Sequence, residues 1–124
     1  MEKVYRLVTT EQWSQIKATG VLPRYAVDQQ SGFIHLSVWD TVIATANLYF
    51  PDESSMIGIE MYSTSLGEKL IFEPVPSRNN ELFPHFYGET IAFEHFVRIA
   101  LLNRTTGHGF RLTSFVKVQQ PQSD

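Results

Sequence analysis

Apolar residues recur at helical spacing only in the first fifty positions of this 124-residue chain. Beyond Pro51 they fall into short runs, many of them alternating and closed by glycine or proline. Early helices followed by a succession of strands do not supply the regular crossovers of a parallel sheet, so the pattern predicts an α+β domain. Residues 4–8 alternate and read as a first strand. Thr9 or Thr10 is placed to cap a helix, with Glu11 in its first turn, Trp13 and Ile16 at helical spacing, and Gly20 just past its end. Gln30, Ser31 and Gly32 read as a turn. Residues 33–37 read as a short strand with Phe33, His35 and Ser37 on one face. Asp40 is a natural cap for a second helix with the stripe Val42, Ile43, Ala46, Tyr49 and Phe50. Strands are predicted over 56–62, 69–73, 96–103 and 110–118. A single helical turn fits 63–68, a polar loop 77–81, and an ordered stretch begins at 82–88. The count is two helices and six or seven strands, in one domain over 1–118 with a flexible tail at 119–124.

Composition excludes several classes. Hydrophobic residues make up 43 % and charged residues 19 %, ordinary globular usage and unlike a disordered, collagenous or coiled-coil chain. The absence of cysteine excludes disulfides, zinc–thiolate sites and thiol nucleophiles. A net charge of −3 gives no basic footprint for non-specific nucleic-acid binding. The densest apolar runs, 42–50 and 96–102, fall far short of the ~20 residues needed to cross a bilayer, and the N-terminus carries no secretory pattern. A cytoplasmic protein with no membrane partner is expected.

His35 lies mid-strand beside Ser37, so both side chains are placed to enter one cleft. Gly32 ahead of them allows close approach of a ligand. His85 and Tyr87, two residues apart, share a face if extended. Tyr5 and Arg6 point to opposite faces of the first strand, and Arg6 has the fork that suits a phosphate or carboxylate. Glu73 is placed either to orient a base or to pair with Arg78. A structural role for each histidine, satisfied by a local hydrogen bond, stays open beside these readings. No phosphate-binding loop or dinucleotide fingerprint is present, and the histidine spacings form no metal motif.

These segments together resemble a bacterial family of proteins of unknown function, DUF952. The stretches that carry the likeness are Tyr5-Arg6-Leu7-Val8, Trp13 with Gly20-Val21, residues 32–37, Phe72-Glu73-Pro74 and residues 82–88. They span about 4 to 102. The family tends to carry lysine where Arg6 stands, and the loop at 74–81 is longer here. More distantly, the order of strands resembles the ADP-ribosyltransferase superfamily. That implies a split antiparallel or mixed sheet, with helices after the first and second strands. It also implies NAD as a substrate, with no other cofactor required and no metal. In that reading His35 and His85 are catalytic, and Tyr5, Arg6, Ser37, Glu73 and Tyr87 hold the ligand. His35 bonds a ribose hydroxyl, Arg6 a phosphate, and Tyr87 or Tyr49 stacks the nicotinamide. The third strand of many such enzymes carries a glutamate where this chain has Phe83-Pro84-His85, so His85 is the alternative base. A non-catalytic module that binds a nucleotide-like small molecule or a protein is the second reading. A metal-free hydrolase using His85 with Glu73 or Glu89 is the third. The sequence leaves the oligomeric state open.

Overall fold

A computed structural model describes residues 2–121. The chain runs β1 (Lys3–Val8), α1 (Thr10–Thr19), β2 (Val21–Pro23), α2 (Ala26–Ser31), β3 (Ile34–His35), α3 (Trp39–Tyr49), β4 (Ser55–Tyr62), α4 (Ser63–Leu66), β5 (Leu70–Val75), β6 (Glu81–Phe86), β7 (Thr90–Ala92), β8 (Phe96–Thr105) and β9 (Gly109–Lys117). Three sheets result, of order β1-β4-β8-β9, β2-β7 and β3-β6-β5. Every strand pair among them is antiparallel, so the architecture is α+β and the sheets are not mixed.

The four-stranded sheet is covered on both faces. Val4 and Val8 of β1 and Ile57, Ile59 and Met61 of β4 point one way. They pack against Trp13 and Ile16 of α1, Leu22, Ile34, Phe86 and Ile91. Tyr5, Leu7, Met56, Ala100 and Leu102 point the other way and meet Val42 and Ala46 of α3. The period-2 alternation of β1 thus sends side chains into two cores. The three-stranded sheet lies on the first side, and a single backbone bridge ties it to the large one. Tyr5 N donates to Ser37 O and Ser37 N to Tyr5 O, each at 2.8 Å.

The first helix begins and ends where its caps predict. Thr9 accepts from Gln12 N while the Gln12 side chain accepts from Thr9 N, and Gly20 closes the helix at φ 84°. Four departures are informative. Residues 26–31 form α2 where the sequence suggested only a turn, because their apolar content is too low to show a helical stripe. The 33–37 strand shrinks to two residues, since Ser37 leaves β6 to bridge β1. β2 and β7 are three residues each, too short for alternation to register. The count rises to nine strands and four α-helices among the described residues. Helix α3 starts at Trp39, with Asp40 in its first turn rather than at its cap. Gln120 donates to the carbonyls of Phe93 and Phe96, at 3.0 Å each, so the tail is anchored at that point; residues 122–124 lie outside the described residues. No helix among the described residues is long and apolar enough to cross a membrane.

Gly32 ends α2 at φ 82°, and a Cβ there would meet nothing within 4 Å. The cost of a side chain is then backbone strain alone. Gly32→Ala is expected to lower stability by about 1–2 kcal/mol, seen as a lower urea midpoint at unchanged slope.

Candidate functional site

The site is built on a carboxylate that neither motif nor spacing singles out. Asp28, in the first turn of α2, is fully buried. Its Oδ2 accepts from Tyr25 N at 2.8 Å. Its Oδ1 accepts from Arg6 Nη1 at 2.6 Å, His35 N at 3.0 Å and His35 Nδ1 at 2.9 Å. Burial pushes the Asp28 carboxyl up, but the bonds from His35 and Arg6 prevail and hold it well below the usual carboxylate range. An anionic carboxylate only accepts, so His35 Nδ1 carries a proton and donates it to Asp28. His35 Nε2 lies 3.3 Å from Ser31 Oγ, at the last residue of α2.

A second carboxylate–histidine pair stands opposite. Strands β5 and β6 pair with Glu73 opposite Phe83, so that the Glu73 side chain reaches diagonally to His85 on the same face. Glu73 Oε1 accepts from His85 Nδ1 at 2.8 Å and from Tyr87 OH at 2.5 Å. These two bonds, Tyr87 first, lower the Glu73 carboxyl, and the same contact raises the Tyr87 phenol. Burial lowers the His85 imidazole, partly offset by Glu73. At neutral pH the trio is therefore a carboxylate, a phenol and a neutral imidazole whose Nε2 is unprotonated. Phe33 packs among these rings. Its centroid is 3.9 Å from His85 in a stacked pair, 4.6 Å from His35 and 5.4 Å from Tyr87. The two imidazoles are 6.0 Å apart, edge to face.

Both histidines and Glu73 line one cleft of about 800 Å³, with Asp28 buried behind His35. Its walls are the β3-β6-β5 sheet, the flank of α2, the C-terminal half of α3 with Thr45 and Tyr49, Phe50 just past its end, and the turn at Pro76–Arg78. His35, Ser37, Glu73, His85, Tyr87 and Arg6 all reach it. Arg6 is 7 % exposed, and its fork is occupied by Asp28, His35 O and Leu7 O. Its observed work is to hold Asp28 rather than to offer itself to an anion. Tyr5 is not among the lining residues. Its hydroxyl donates to the buried Glu60 at 2.6 Å on the α3 side of the large sheet, where Arg98 also bonds Glu60. Glu73 does not pair with Arg78, whose Nη1 donates to Thr45 Oγ1 at 3.1 Å. Asp28, Ser31 and the ring role of Phe33 were missed. The available signal for Asp28 was Gly32, because a left-handed helix end implies a helix before it, with Asp28 in its first turn. Among the described residues no three His, Asp or Glu side chains gather as metal ligands.

The model of the family described as protein of unknown function (DUF952) matches residues 7–99. Among solved structures, the crystal structure of protein CC0527 from Caulobacter crescentus is 28 % identical and aligns over 88 % of this chain and 93 % of its own, with a TM-score of 0.79. The solution structure of CC0527 is 29 % identical over 89 % and 91 %, with a TM-score of 0.75. No curated protein matches the chain.

Two outcomes follow from this geometry. His85 is expected to titrate below 6.5 in an NMR pH series, and Glu73→Gln to lower it further, since the carboxylate is what raises it. The sign for stability follows. Below pH 6.5 the unfolded chain takes up this proton first, so the folded state loses stability as the pH falls toward the folded value. Asp28→Ala leaves Arg6 buried without its counter-charge, and urea denaturation is expected to show a loss of about 3–5 kcal/mol.

Proposed function

The chain belongs to the DUF952 family, and from its site we propose that the cleft binds a dinucleotide of the NAD type and cleaves its nicotinamide–ribose bond. The observation that carries the reading is the pair of histidines, each fixed through Nδ1 by a carboxylate, 6.0 Å apart in an aromatic-lined cleft. The choice of this substrate also draws on the sequence likeness of the strand segments to the ADP-ribosyltransferase superfamily. The glutamate expected on the third-motif strand is missing there, but Glu73 on the neighbouring strand brings a carboxylate to His85.

The chemistry asked of these groups is modest. As the C1′–N1 bond breaks, its electron pair leaves with the nicotinamide, which departs neutral, and positive charge develops on the ribosyl carbon. Glu73, held ionised by Tyr87 and His85, is the anion that stabilises that charge. Water forms the new C1′–O bond and gives its proton to His85, whose lowered pKa keeps it a free base near neutrality. His35 Nε2 and Ser31 are placed to bond ribose hydroxyls, and Phe33 and Tyr87 offer faces for the nicotinamide ring. Ser37 lies on the wall but is tied through its backbone to Tyr5.

The test is a thermal-shift titration with NAD together with chromatographic assay of nicotinamide. Wild type at 100 times the dissociation constant is expected to gain about 2.7 kcal/mol, a rise of several degrees. Release is expected to fall about 10²–10³-fold in Glu73→Gln at unchanged binding, and both shift and release to vanish in His35→Ala. A shift without release means a binding module that kept the fold. No shift at millimolar NAD rejects the dinucleotide.

A further inference from the structure

We propose that the Arg78 end of the cleft is an anion subsite that takes the 5′-phosphate of the ribosyl ligand; this deepens, and rests on, the reading of the cleft as a ribosyl site. Two guanidinium groups line the cleft, those of Arg6 and Arg78. Arg6 is neutralised by Asp28 at 2.6 Å. Arg78 has no carboxylate in ion-pair reach among the described residues, and its hydrogen-bond partner there, Thr45 Oγ1, is uncharged. Its positive charge is therefore uncompensated on the wall of a concave site, where an incoming anion is favoured.

The guanidinium is also held in place. It lies 4.8 Å from the centroid of Phe83 and 5.9 Å from that of Tyr49, contacts that restrain its plane and leave further N–H groups free for a planar fork. The turn that carries it closes through Asn80 N donating to Val75 O at 3.0 Å. Asn79 and Asn80 both sit at positive φ, 58° and 60°, a conformation asparagine tolerates better than most residues.

The register sets the ligand's size. Phe83 and His85 are two residues apart on β6 and both line the cleft, which separates them by roughly 7 Å along the strand. Glu73 stands opposite Phe83, but its carboxyl oxygen reaches along the face to His85 at 2.8 Å, so an anion over Phe83 is one sugar away from His85 and the carboxyl oxygen it bonds. A ribose spans that gap with C1′ at the carboxylate and its 5′-phosphate on Arg78. The class of ligand selected is a ribosyl 5′-phosphate rather than a free nucleoside or an uncharged sugar.

The experiment uses the full chain and three probes: ribose, ribose 5-phosphate and inorganic phosphate. Binding is followed by calorimetry and by NMR of the Arg78 Nε–H and the His85 ring. Ribose 5-phosphate is expected to bind at least tenfold tighter than ribose, to move both signals, and to lose that margin in Arg78→Met. Arg78→Lys keeps the charge without the fork and is expected to recover only part of the margin. Inorganic phosphate is expected to move the Arg78 signal alone. Melting curves check that each variant is folded. No binding of ribose 5-phosphate, equal affinity for the two sugars, or a margin that survives in Arg78→Met overturns the subsite. Should NAD prove inert while ribose 5-phosphate still binds through Arg78, the reaction falls and the subsite stands. Nicotinamide release with an unchanged KM in Arg78→Met means the reverse.

Discussion

Burying the carboxylate of Asp28 costs several kcal/mol unless its lone pairs are filled. Here they are filled by groups drawn from three separate elements. Arg6 comes from the first strand of the large sheet, Tyr25 from the turn into α2, and His35 from the smaller sheet. Each donor is held by the anion, and the anion is tolerated only because all of them arrive. Helix α2 has six residues and little apolar surface, so its own propensity does not fix it. The buried charge fixes it instead, and with it the short strand that presents His35.

From that anchor the two histidine pairs take different characters. His35 answers to a carboxylate without solvent, itself neutralised by an arginine. His85 answers to Glu73, which stands on the cleft wall and shares its oxygen with a phenol. The first arrangement orients a ring. The second keeps a negative charge beside an unprotonated base, which suits a centre where positive charge develops. Phe33 fills the space among the rings, so water that would weaken these interactions is displaced by a hydrocarbon face.

The legible part of the fold was whatever repeats or punctuates. The capped helix after Thr9, the amphipathic α3 and the long strands β4, β8 and β9 follow from period and turn residues. The pairing of His85 with Tyr87 followed from a two-residue spacing, and their common partner Glu73 was named as an orienter of a base. Asp28 left only the indirect signal of Gly32, because its significance lies in contacts 22 and 7 residues away in sequence, and a helix of six residues shows no stripe. Arg6 was legible as a guanidinium in the cleft but not as one already engaged, since charge pairing across elements leaves no mark on local pattern. Tyr5 was displaced from the site by the alternation of its own strand, which sends its side chain through the sheet to Glu60.

The strand pairings carry a kinetic consequence. β1 joins β4 through partners such as Lys3 and Tyr62, and β3 joins β6 through Ile34 and Phe86. The chain must close loops of about fifty residues before either ladder forms, whereas the β8–β9 hairpin closes locally. Such non-local pairing is slow relative to helical bundles of the same size. The β8–β9 and β5–β6 hairpins can therefore precede the non-local ladders, and the cleft comes last. Any partly folded form would expose the apolar face of β4 before the cleft is assembled, so the cleft and the protection from aggregation arise in the same late step.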